Sequence, residues 1–332
     1  MASRNVRVAL VQASSIDFDL QASVDKACQL IAEAGQTGAQ LIAFPETFIP
    51  GYPFWIWSRG IDVEMTKRYI KSSLKRDSTE MERICATAAE NNIEVHLGYS
   101  ENDDDSLYIT QSHISSDGMI RMSRRKIKPT HVERTIFGEG SGSSLLNVAD
   151  VPGVGKVGEL NCWEHTQPLL KYHTYAQEEQ VHVSAWPAIM PGNNEETLWN
   201  TTTEGQQSMS RIYAVEGSCF VLHCTGVLTQ DTIEKMQTHS GQLYNKQGGG
   251  CCAIYGPDGR KLSNDLPEDE EGILYADLDM DRIIEAKMFL DACGHYSRPD
   301  LLWLGSDHEE KGILRNIQGN PKANELWMRH VA

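Results

Sequence analysis

Two hydrophobic periods alternate along this chain, and that alternation constrains the fold more than any other feature. Val6, Val8 and Leu10 interleave with Ala9 and Val11 in a run that is apolar on both faces, as a strand covered on both sides must be. Val24, Ala27, Cys28 and Ile31 then fall at the spacing of a helical stripe, with Gly35 as a stop. Leu41–Phe44 is again a short apolar run, closed by Pro45.

The alternation continues. Asp77 and Glu80 are placed to cap a helix carrying Met81, Ile84, Cys85 and Ala88. Runs 93–99, 107–114 and 119–125 read as strands, the last two a hairpin turning at Ser116-Asp117-Gly118. Beyond Gly155, strands are expected over 157–161, 181–185, 219–224, 252–255 and 273–278, the last two flanking Pro257-Asp258-Gly259. Helices are expected over 166–177, 209–215 and 281–290. This pattern predicts an α/β fold with mixed sheets. Its two similar halves suggest a four-layer arrangement of two sheets faced by helices. No long linker separates the halves, so residues 1–300 are expected to form a single domain and 301–332 a tail that docks on a neighbouring subunit.

Charge narrows the function. Thirty basic residues against 46 acidic ones give a net charge of −16. Such a surface repels phosphate backbones and anionic lipid, which argues against nucleic-acid and membrane partners. No apolar run is long enough to span a bilayer, and no signal-peptide core opens the chain. The eight cysteines lack the spacing of a disulfide scaffold. A reducing, cytoplasmic setting is therefore expected.

Three strand-like runs end in reactive side chains: Leu41–Phe44 reaches Glu46, 119–125 reaches Lys126, and 157–161 reaches Cys162. Sites in α/β folds assemble at the carboxyl ends of strands. An isolated thiol is mostly protonated at neutral pH. A carboxylate can take its proton, and an ammonium can stabilise the thiolate and later an anionic tetrahedral centre. Taken singly, each residue has a plainer reading: a buried thiol, a loop carboxylate, a solvated basic run.

Longer motifs give these residues a context. Ala43-Phe44-Pro45-Glu46-Thr47-Phe48-Ile49-Pro50-Gly51-Tyr52-Pro53 resembles the first signature of the nitrilase family. Arg125-Lys126-Ile127-Lys128-Pro129-Thr130-His131-Val132-Glu133-Arg134 resembles the second, and Leu160-Asn161-Cys162-Trp163-Glu164-His165 the nucleophile signature. Val183–Pro187 and Gly294–Ser297 also resemble family segments, in family order. The resemblance implies an αββα sandwich that dimerises and extends into spiral filaments, with no metal or organic cofactor. It implies Cys162 as nucleophile, Glu46 as general base, Lys126 as catalytic lysine and Glu133 as the glutamate that holds it.

Lys128–Thr135, Phe137–Gly140 and Gly248–Gly250 resemble the arylacetonitrilase branch most. The implied substrate is a small nitrile, converted to a carboxylic acid and ammonia through a thioimidate and a thioester. Tyr52, Trp163 and Trp186 are candidates to wall an aryl pocket. Cyanide hydratase or dihydratase activity and amide release are the alternatives on the same site. The competing readings are a Cys162–His165 dyad, a metal site using Cys162, His165, Cys219 and Cys224, and a catalytically dead oligomeric scaffold.

Overall fold

The computed structural model describes residues 4–189 and 198–310. The strands, in chain order, are β1 (Asn5–Gln12), β2 (Leu41–Ala43), β3 (Glu94–Asp103), β4 (Ser106–Ile114), β5 (Ile120–Arg125) and β6 (Val148–Val151). They continue as β7 (Gly155–Asn161), β8 (Val181–Trp186), β9 (Phe220–Thr225), β10 (Ala253–Tyr255) and β11 (Gly272–Asp279). The helices are α1 (Leu20–Gln36), α2 (Val63–Ser72), α3 (Thr79–Glu90), α4 (Pro168–Tyr175), α5 (Thr203–Gly217), α6 (Gln230–Met236) and α7 (Asp281–Phe289).

The strands form two mixed sheets, ordered β11-β1-β2-β3-β4-β5 and β10-β9-β8-β7-β6. β1, β2 and β3 pair in parallel, as do β7, β8 and β9. The period-2 pattern explains the layers. Val6, Val8 and Leu10 of β1 meet Val157, Val183 and Phe220 of the other sheet in one buried cluster. Ala9 and Val11 face the opposite way, into a cluster with Ala27 and Ile31 of α1 and Ile84 and Ala88 of α3. On the far side, Tyr213 and Ala214 of α5 cover Leu160, Val221 and Ala253. The result is the four-layer αββα sandwich expected from sequence.

Several local expectations are corrected. Ser78, not Asp77, caps α3, its side chain accepting from Met81 N. The helix expected over 166–177 is the shorter α4, preceded by a separate 3-10 turn at Cys162–Thr166. Pro168 is the reason: it starts a helix well but forces the preceding Gln167 into extended backbone. β10 and β11 lie in different sheets rather than in one hairpin. Residues 311–332 of the expected tail lie outside the described residues. Among those described, no helix is long and apolar enough to cross a membrane.

Candidate active site

Each of the three strand-to-loop exits delivers its side chain to one place. β2 ends at Ala43, and the turn Pro45–Thr47 carries Glu46, whose backbone N–H donates to the Trp186 carbonyl at 3.3 Å. A Cβ on Gly98 of β3 would sit 2.1 Å from the Pro45 carbonyl oxygen, so only glycine lets the two backbones approach this closely. β5 ends at Arg125, and Lys126 follows with its N–H on the Ile109 carbonyl. β7 ends at Asn161, and Cys162 opens the 3-10 turn at φ 51, a left-handed conformation for a non-glycine residue. Such backbone costs on the order of 1–3 kcal/mol and persists only where its surroundings impose it.

Glu164 is the main restraint. Its carboxylate accepts from Asn161 N at 2.8 Å and Ile127 N at 2.8 Å, and from Arg124 at 2.8 and 2.7 Å. One buried side chain thus ties the cysteine turn to the residues on both sides of Lys126. Burial pushes the Glu164 carboxyl up, but the Arg124 guanidinium and the backbone N–H bonds outweigh it and hold the group low.

Lys126 is fully buried, and its ammonium donates to Glu46 Oε1 and Glu133 Oε2, both at 2.9 Å. Burial alone would lower its pKa; the Glu133 and Glu46 carboxylates overcome that and raise it, so the lysine stays charged. The two carboxylates are not equivalent. Glu133 also accepts from Thr130 N at 2.7 Å, Thr130 Oγ1 at 3.3 Å and the Tyr52 hydroxyl at 3.0 Å. Glu46 Oε2 is buried and has no hydrogen-bond partner among the described residues. Glu133 is therefore the fixed counter-charge, and Glu46 is the group free to exchange a proton. Burial first, opposed by Lys126, pushes Glu46 up to about 8.

The Cys162 thiol feels Lys126, Glu46 and Glu133 together and accepts from the Trp163 backbone N–H. Burial dominates and raises it well above the ordinary thiol value despite the pull of Lys126. The nearby cation favours a thiolate, as the sequence suggests, and burial acts against it.

The aromatic candidates separate. Tyr52 is buried, and its ring packs 5.0 Å from Phe54. Trp163 borders a pocket of about 620 Å³ with Thr130, Leu145, Leu169 and Leu304. Trp186 is buried beneath it, edge-on to Trp163 at 5.8 Å and stacked on His165. Two aromatic groups escape the sequence reading. Tyr244 senses Cys162, Glu133 and Glu46, and Trp57 Nε1 donates to the Tyr52 hydroxyl at 3.3 Å. Trp57 closes the 3-10 turn Phe54–Trp57 and Tyr244 lies outside any helix or strand, so neither carries a periodic signal. His165 uses both ring nitrogens away from the thiol, on the Cys162 carbonyl and on His182, which removes the geometry a Cys–His dyad needs. Among the described residues no cluster of three or more His, Cys, Asp or Glu is arranged to hold a metal ion.

Residues 7–288 match the carbon-nitrogen hydrolase family, and the chain belongs to that family. Within it, the chain is 55% identical over 318 residues to an arylacetonitrilase of Aspergillus kawachii, covering 96% of each chain. It is likewise 55% identical over 315 residues to an arylacetonitrilase of Aspergillus niger, covering 95% of each. Among solved structures, a mutant amidase from Nesterenkonia sp. AN1 shares the fold, with a TM-score of 0.61 at 19% identity over 86% of this chain and 95% of that one.

Proposed function

We propose that the protein hydrolyses a nitrile, preferentially an arylacetonitrile, to the carboxylic acid and ammonia. One observation carries this reading: Lys126 sits buried between Glu46 and Glu133, with the Cys162 thiol in the field of all three. Cys162 Sγ attacks the nitrile carbon while its proton passes through Glu46 to the nitrile nitrogen, giving a thioimidate. Glu46 then deprotonates a water as its oxygen bonds to that carbon and passes the proton to nitrogen. The hydroxyl of this tetrahedral centre gives its proton, through Glu46, to the nitrogen as the C–N bond breaks; ammonia leaves and a thioester remains. A second water, activated in the same way, releases the acid and returns a proton to sulfur. Lys126 and the Trp163 N–H offset the negative charge of each tetrahedral centre.

The aryl preference is supported by the identity to arylacetonitrilases and by Trp163, which borders the pocket of about 620 Å³, with Tyr52, Trp57 and Tyr244 grouped beside the buried carboxylates. Copies of the chain associate on this reading. Leu169, Phe289 and Trp303 are large apolar side chains left at least 71% exposed, which a monomer in water disfavours. The described start of the expected tail lies against this same chain instead, His308 Nε2 facing His173 Nε2 at 3.2 Å and Glu310 accepting from Ser143, and the free state of the cysteines suits a reducing cytoplasm. The test is ammonia and phenylacetic acid release from phenylacetonitrile. The protein releases both, and Cys162→Ala releases neither; release by the variant refutes the mechanism.

A further inference from the structure

Behind the cysteine turn, a row of buried polar groups leads away from the site, and its proton positions can be deduced. Nδ1 of His165 lies 2.7 Å from the Cys162 carbonyl oxygen. A carbonyl only accepts, so Nδ1 carries the ring proton. In a neutral ring Nε2 is then an acceptor, and its partner at 3.0 Å, His182 Nε2, must donate. That leaves His182 Nδ1 as an acceptor, facing Glu179 Oε2 at 2.8 Å. Burial disfavours a second proton on His182, so Glu179 brings the proton, as a carboxylic acid. The Tyr213 hydroxyl donates to its other oxygen at 2.5 Å.

We propose that Glu179, His182 and His165 are positioning residues that form a proton-ordered chain holding the Cys162 backbone in its left-handed turn, and that the chain works only while Glu179 is protonated. This rests on the reading of Cys162 as the nucleophile.

The surroundings agree with the required proton count. Burial, helped by the neighbouring His182, pushes His165 down to about 3, and burial holds His182 well below the ordinary histidine range. Burial pushes Glu179 up to about 8, partly offset by the Tyr213 hydrogen bond. The groups facing Glu179 are Tyr213 of α5, Tyr175 of α4, and Cys219 and Cys293. Glu159, His96, Arg124 and Glu164 face His182. Glu164, Lys171 and His223 face His165. At its outer end Glu179 borders a surface pocket of about 490 Å³ shared with Arg4, Asp150, Lys156, Glu178 and Lys287, a route for its proton to reach water.

Ionisation reverses the order. The Glu179 proton is lost to water through that pocket, and each ring moves its single proton to its other nitrogen, His182 to Nδ1, where it donates to the carboxylate, and His165 to Nε2. One proton leaves in net, and no bond between heavy atoms changes. The lone pair of His165 Nδ1 then faces the Cys162 carbonyl oxygen, and the contact that held the strained turn becomes repulsive. Activity is therefore present below the Glu179 pKa and lost above it.

The test uses the full chain and two readouts across about pH 6 to 10: nitrile turnover, and alkylation of Cys162 by iodoacetamide followed on its own peptide by mass spectrometry. In Glu179→Gln the amide N–H donates to His182 and the amide oxygen accepts from Tyr213, fixing the acid's hydrogen bonds at every pH. The ratio of the rate at about pH 9.5 to that at about pH 7 should rise about tenfold or more over the parent, in both readouts. Tyr213→Phe removes a donor that favours the carboxylate, so the alkaline limb should move to higher pH. A folded Glu179→Gln protein with the parent's limb, or with Cys162 inert at every pH, overturns the proposal. If that variant does not fold, an unmoved limb in Tyr213→Phe overturns it. Altered alkylation without any nitrile turnover would sink the nitrile reading and leave the chain standing; turnover with unaltered limbs would do the reverse.

Discussion

Replacing Glu133 by glutamine tests the division of labour between the two carboxylates beside Lys126. The glutamine oxygen can still accept from Lys126 and Thr130, where Glu133 Oε2 now lies 2.9 and 2.7 Å from its donors. Its amide nitrogen then faces the Tyr52 hydroxyl, which can turn and accept. Few contacts are lost, but the Lys126 ammonium then faces a neutral amide in place of one carboxylate, a loss of about 1–2 kcal/mol. If it falls on the transition state, kcat drops about tenfold. The more telling effect is on pH. The Glu133 charge raises Glu46; without it Glu46 ionises more readily beside Lys126. A base that ionises earlier moves the acid limb of the kcat profile to lower pH. The assay is ammonia release against pH, with thermal unfolding as a check on folding. An acid limb that stays in place or moves upward refutes the assignment of Glu46 as the proton-exchanging group and Glu133 as its fixed neighbour.

Two further outcomes follow from buried charge. Burial pushes Asp17 up to about 7, against a hydrogen bond from Thr232. Because the folded pKa is the higher one, the stability Asp17 contributes is complete below about pH 4 and lost as the pH rises through about 7. Asp17→Asn should therefore match the parent near pH 4 and exceed it above pH 7, by up to on the order of 3–4 kcal/mol, in denaturant unfolding; an equal difference at both pH values refutes this. Glu164→Gln breaks the tie to Arg124 and should cost about 3–5 kcal/mol of stability, together with activity, since Cys162 and Lys126 lose their shared restraint; unchanged urea midpoint and kcat refute it.

Much of this was legible in the chain because parallel strands buried on both faces must be apolar throughout. Val6–Val11, Leu41–Ala43 and Val181–Trp186 carry that signal, and Glu46 and Cys162 stand just past the parallel strands β2 and β7. What stayed hidden depends on contacts between distant segments. Asp77 and Ser78 are both competent caps, and only the helix register selects the serine. Glu164 sits in the quoted nucleophile motif, yet its role emerges only when Arg124 and Ile127 reach it from another strand. Tyr244 arrives from outside any helix or strand and Trp57 from a single 3-10 turn, too short for a periodic signal. The desolvation of Cys162 was equally invisible, since sequence shows the nearby cation but not the burial that opposes it.

The central claim is that sulfur of Cys162 carries the substrate. Rapid acid quench during phenylacetonitrile turnover, followed by peptide mass analysis, tests it most directly. The account predicts a substrate-mass adduct on the peptide containing Cys162, absent in Cys162→Ala together with all ammonia release. Turnover with that peptide unmodified, or an adduct on another cysteine, contradicts it.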